Sequence, residues 1–72
     1  MHEVTLRNDV IRLGQLLKLV DIVDSGSDVK ALLAQGVVTV NGEVETRRGR
    51  QLVAGDLVSA LGVDVRVVRD VN

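Results

Sequence analysis

"GVVTVNGEVETRRGR", residues 36–50, contains the turn on which the fold reading rests. Asn41-Gly42 is among the strongest sequence signals for a two-residue type I′ hairpin, because both central residues of that turn need positive φ. The β-branched run Val37-Val38-Thr39-Val40 leads into the turn, and Glu43 to Arg47 reads as the returning strand. One step upstream, Gly36 supplies the left-handed residue that commonly ends a helix. The segment before Gly36 is therefore expected to be helical and the segment after it extended.

Working upstream, Val29, Leu32 and Leu33 form the buried stripe of that helix, with Lys30 at its edge. Ser27 is expected as its N-cap, with Asp28 in the first turn where the helix dipole favours an anion. "DSGSD", residues 24–28, supplies the preceding turn. From Ile11 onward, Leu13, Leu16, Leu17 and Val20 recur at i, i+3, i+4 and i+7, the stripe of an amphipathic helix. Lys18 falls on the opposite face and Arg12 flanks the stripe. Residues 2–7 alternate apolar and polar with the period of a half-buried strand. Downstream, "AGD" at 54–56 marks a turn, and "DLVSA" and "VDVRVV" read as strands separated by Leu61-Gly62. The order implies an α+β fold: a two-helix hairpin packed on a small antiparallel β-sheet, forming a single domain over residues 1–72.

Bulk properties narrow the function. A chain of 72 residues with 46% hydrophobic content and no aromatic residue packs a small core of valine, leucine and isoleucine. Without cysteine, disulfides and thiolate metal sites are excluded. Apolar runs of about four residues fall far short of the roughly 20 that cross a bilayer, so no membrane partner is expected and a cytoplasmic setting is. His2 is the sole histidine, and no second histidine or cysteine exists to share a metal or activate a nucleophile. Asp21, Asp24 and Asp28 lack the glycine and terminal glutamate of an EF-hand and read as capping and solvated residues. Neither GxxxxGK[ST] nor GxGxxG occurs. We therefore expect no enzyme, no metal and no cofactor.

Charge is the informative property. The formal net charge is -1, yet Arg47, Arg48 and Arg50 crowd into four positions. Residues 1–46 hold four basic against seven acidic side chains, and residues 51–72 two against three, so the positive charge is local. One explanation is a solvated hairpin in which Glu43 or Glu45 pairs with Arg47 or Arg48, an arrangement worth about 0–1 kcal/mol. Another is anion recognition: three adjacent guanidinium groups repel one another, and forked donors around a flexible Gly49 suit phosphate oxygens. With no aromatic side chain for base stacking, a nucleic-acid ligand would be a folded RNA held by its phosphates and 2′-hydroxyls.

With these residues in order, the chain resembles the RNA-binding domain of the ribosomal protein S-four family, the αL motif, and within it the small stand-alone bacterial ribosome-associated members. The resemblance runs from about residue 11 to 58. It rests on Arg12-Leu13, on Ser25, Ser27 and Lys30, on Gly36, Val38, Val40, Asn41 and Gly42, and on Gly55-Asp56. "LGQLLKL" and "VNGEVETRRGR" point to the stand-alone group. Many members carry aspartate at Gly14 and arginine at Gly26, and Val29 stands where alanine is usual. The resemblance implies contacts to structured RNA, ribosomal or transfer, on the ribosome or its precursors. Mapped onto this chain, it makes Arg12, Lys18, Lys30, Arg47, Arg48 and Arg50 the RNA-binding residues, with Gln15, Gln35 and Asn41 as further polar candidates. The arginine loop should then share a face with Lys18 and Lys30. The competing expectation is a protein-interaction or self-association module that uses "VDVRVV" as an open sheet edge.

Overall fold

The computed structural model describes residues 2–69. Its elements run β1 (His2–Leu6), β2 (Ile11–Arg12), α1 (Leu13–Leu19), α2 (Gly26–Ala34), β3 (Val38–Val40), β4 (Glu43–Val44), β5 (Gln51–Leu52), β6 (Leu57–Ala60) and β7 (Val63–Arg69). Five strands form one sheet in the order β1-β7-β6-β3-β4, and β2 pairs with β5 as a separate two-stranded unit. The fold is α+β, two helices against a small sheet, as expected.

The Asn41-Gly42 turn has φ of 53° and 85°, and it sets Val40 opposite Glu43 and Thr39 opposite Val44. Gly36, at φ 72°, ends α2 and donates its N–H to the Leu33 carbonyl at 3.1 Å. Both positions favour the residues found there because a Cβ is penalised in the left-handed region, least for asparagine among residues that have one. Leu61-Gly62 repeats the hairpin between β6 and β7, with φ of 51° and 80°.

The core is aliphatic throughout. Leu13, Leu16 and Leu17 of α1 are fully buried, each contributing about 1.5–3 kcal/mol relative to exposure. They pack with Val29, Leu32 and Leu33 of α2 and with Val4, Leu6, Val38, Val40, Val58, Val65 and Val67 of the sheet. Thr5, Thr39, Ser59, Asp64 and Arg66 alternate with these strand residues and are less buried, so the helices cover one face and the other is polar.

Four local expectations are corrected. The sheet is mixed, not antiparallel throughout: β1 runs parallel to β7, with Val4 beside Val67. Strand β7 lies between β1 and β6, so "VDVRVV" is an interior strand and not an open edge. That removes the premise of the self-association reading, and burial on one face with pairing on both sides accounts for the valine content. Helix α1 begins at Leu13, because Ile11 and Arg12 pair antiparallel with Leu52 and Gln51. Ser25, not Ser27, is the N-cap of α2, its Oγ accepting from the Asp28 N–H at 3.4 Å. A serine two residues earlier adds part of a turn, and Ser27 then falls inside the helix.

Candidate nucleic-acid interface

The start of α1 and the arginine loop are built together. The first N–H groups of a helix lack partners within the helix. Here Leu13 N–H donates to the Arg50 carbonyl at 2.9 Å and Gly14 N–H to the Arg48 carbonyl at 3.0 Å. Arg12 N–H donates to Gln15 Oε1 at 3.3 Å. The loop therefore lies across the first turn of α1. A Cβ at Gly14 would stand 3.4 Å from both the Arg48 carbonyl oxygen and Val29 Cγ1, ordinary van der Waals contact, so loop and helices close around that position without excluding a side chain.

Between the helices and this loop opens a concavity of about 250 Å³, lined by Arg12, Gly14, Gln15, Lys18, Gly26, Val29, Arg48 and Gly49. Three cationic side chains and one amide meet there over a floor of glycine backbone and one valine. Among the described residues, Arg12, Lys18 and Arg48 form no ion pair. Positive side chains around a low-dielectric wall raise the local potential even in an acidic protein. The glycines at 14 and 26, where aspartate and arginine are common in the resembling family, leave this cleft open at two points.

Beside the cleft, Glu45 is the sole charged or polar residue in the buried class among the described residues, at 7% exposure. Its carboxylate accepts from Arg47 twice, Nε to Oε2 and Nη2 to Oε1, both at 3.2 Å, and from Arg50 Nη1 to Oε1 at 2.8 Å. The backbone N–H groups of Thr46 and Arg47 add bonds to Oε2 at 3.0 and 3.2 Å. The guanidinium of Arg47, then that of Arg50, then the Arg47 N–H hold the carboxyl down from 4.5 to about 2, against the opposing effect of burial. Its partner Arg47 is correspondingly pushed up.

The site residues expected from sequence are thus sorted. Arg12, Gln15, Lys18 and Arg48 converge on the cleft. Lys30 is exposed and stands one helical turn beyond Gly26, on the same side of α2. Arg47 and Arg50 flank the cleft but are tied to Glu45; the cross-hairpin pairing considered for Arg48 is not formed. Gln35 is the C-cap of α2, at the opposite end of that helix from Gly26. Asn41 spends its side chain on the fold: Nδ2 donates to Asp56 Oδ1 at 3.0 Å, and Oδ1 accepts from Leu57 N–H at 2.9 Å. Among the described residues no cluster of three or more His, Cys, Asp or Glu side chains gathers as a metal-binding group, and no helix is long and apolar enough to cross a membrane.

The Glu45–Arg47 pair is one of those the sequence offers; the burial of Glu45 and its hold on Arg50 are not among them. A signal was nevertheless present. The turn register that pairs Val40 with Glu43 carries on to set Glu45 opposite Val38, and Glu45 N–H bonds to the Val38 carbonyl at 3.0 Å. Val38 faces the core, so the same register points the carboxylate inward and requires cations to meet it.

Comparisons with known proteins agree with the fold. The chain is 42% identical over 61 residues to a Bacillus subtilis (strain 168) protein named "Probable ribosome maturation protein RlbA", covering 85% of this chain and 86% of that one. YbcJ of Escherichia coli (strain K12) is 45% identical over 58 residues, 81% of this chain and 83% of that one. The solution structure of E. coli YbcJ, described as revealing an αL motif involved in RNA binding, superposes with a TM-score of 0.70 and 41% identity, covering 94% of this chain and 87% of that chain. The S4 domain model matches residues 4–68, nearly the whole described fold, and the chain belongs to the S4 domain family.

Proposed function

We propose that this protein is a non-catalytic RNA-binding module that grips structured RNA, ribosomal RNA or its precursors ahead of transfer RNA, in the cytoplasm. The observation that carries the reading is the convergence of Arg12, Lys18, Arg48 and Gln15 on one cleft in a chain of net charge -1. Guanidinium and ammonium groups neutralise phosphates, and the Gln15 amide suits a 2′-hydroxyl. Lys30 extends the cationic rim along α2. The complete lack of aromatic side chains favours shape recognition over base stacking. Catalysis finds no support, since no acid–base or nucleophile–base pair lines the cleft. Ribosomal RNA is preferred because one relative is named for ribosome maturation.

Equilibrium binding to a structured ribosomal RNA fragment across a salt series tests this. With about four phosphates neutralised, affinity falls roughly a hundredfold over a fourfold rise in salt. Binding that is indifferent to salt, or no tighter for folded RNA than for an unstructured strand, contradicts it.

A further inference from the structure

The three arginines of residues 47–50 do not share one role. Glu45 holds Arg47 through a two-pronged contact and Arg50 through one, while the side chain of Arg48 has no partner among the described residues and lines the cleft. The loop is pinned from two sides. On one, Glu45 binds the Thr46 and Arg47 N–H groups; on the other, the N–H groups of Leu13 and Gly14 bind the carbonyls of Arg50 and Arg48. Arg50 N–H closes the turn onto the Arg47 carbonyl at 3.2 Å.

We propose that Glu45 is a positioning residue for the RNA contact: it clamps Arg47 and Arg50 as struts, so that the loop offers Arg48 to a phosphate in the cleft. This rests on the RNA-binding reading of the same cleft. Its physical basis is that an exposed arginine on a free loop loses much rotamer and backbone freedom when it binds, and a loop already held in place loses less. An acid this close to a phosphate site would be a plain electrostatic liability unless its charge were already spent on the two flanking cations.

Glu45→Gln therefore has an expected effect of opposite sign to simple electrostatics. It removes a negative charge, yet it releases the struts, so affinity for the structured RNA weakens on the order of tenfold. Because Glu45 acts through Arg48, the two are coupled: Glu45→Gln combined with Arg48→Ala binds no more than about twofold weaker than Arg48→Ala alone. Arg47→Lys, which keeps the charge but not the two-pronged contact, behaves like Glu45→Gln and provides a second route if that variant melts near assay temperature. Affinity that is unchanged or tighter in Glu45→Gln, or losses that simply add in the double variant, overturn the proposal. A wild-type protein that binds no structured RNA refutes the underlying RNA reading, and is distinguished by being measured first.

Discussion

Asn41 was a candidate RNA contact by sequence, but its side chain bridges two turns, and replacing it separates the two roles. Asn41→Gly keeps the left-handed backbone at φ 53° and deletes the bonds to Asp56 and Leu57. Two exposed hydrogen bonds, each at about 0.5–1 kcal/mol, the lower half of the usual range, set a loss of about 1–2 kcal/mol. Asn41→Ala loses the same bonds and adds about 1 kcal/mol for an ordinary residue held at positive φ, for about 2–3 kcal/mol in all. A domain of this size has a total stability of roughly 4–11 kcal/mol, so the alanine variant forfeits a large share. The melting temperature should fall by about 10–20 °C. Thermal and urea melts give these values, with Asn41→Gly between wild type and Asn41→Ala. Binding to structured RNA, measured well below the melting point, should stay within about twofold of wild type. An Asn41→Gly protein as stable as wild type would show that the bridge contributes nothing. A folded Asn41→Ala protein that binds RNA tenfold more weakly would return Asn41 to the interface.

Glu45 also makes stability depend on pH in a window set by its titration. Its folded-state pKa is depressed from 4.5 to about 2, so the stabilisation is fully present above 4.5 and is lost as pH falls toward 2. Acid melts of wild type should therefore lose several degrees more across that window than melts of Glu45→Gln, and parallel curves would show the clamp to be energetically idle. Gly14→Asp meets only ordinary contact at Cβ, 3.4 Å from its neighbours, and adds an acid to the first turn of α1, which has none. It should fold with at least wild-type stability while binding RNA several-fold more weakly, because its carboxylate enters the cleft of Arg12, Lys18 and Arg48; Gly14→Asn is the neutral control, and equal binding by all three proteins would detach the cleft from RNA.

The parts of the fold legible in sequence were those decided within a few residues. Asn41-Gly42 dictates its own turn type, and the turn type dictates register on both sides. Gly36 and the leucine spacing of α1 and α2 are local in the same way. Pairing between chain ends is not: alternation in His2–Leu6 and in Val63–Arg69 states that each is half-buried, with nothing to say that they run parallel and adjacent. The two-residue strand Ile11–Arg12 reads in sequence as the approach to the helix because its partner lies about 40 residues away and its own pattern is too short to register. Basic residues of the site were legible as residue types, but their division was not. Lys18 and Arg48 meet only through the docking of the loop on α1, and Arg47 and Arg50 differ from Arg48 only in what Glu45 reaches.

The cleft, and not positive charge in general, is the surface we propose for RNA. Two variants of equal net charge test it directly, one with Arg12, Lys18 and Arg48 replaced by alanine, the other with Arg7, Arg66 and Arg69 replaced, none of which lines the cleft. Binding to structured RNA should be measured for both over the same salt series, with melts to confirm folding. We expect the cleft variant to lose most of its affinity and to flatten the salt slope by about two to three, close to 0.9 per phosphate released, while the second variant retains most of the wild-type slope. Equal losses in the two proteins would contradict a defined site.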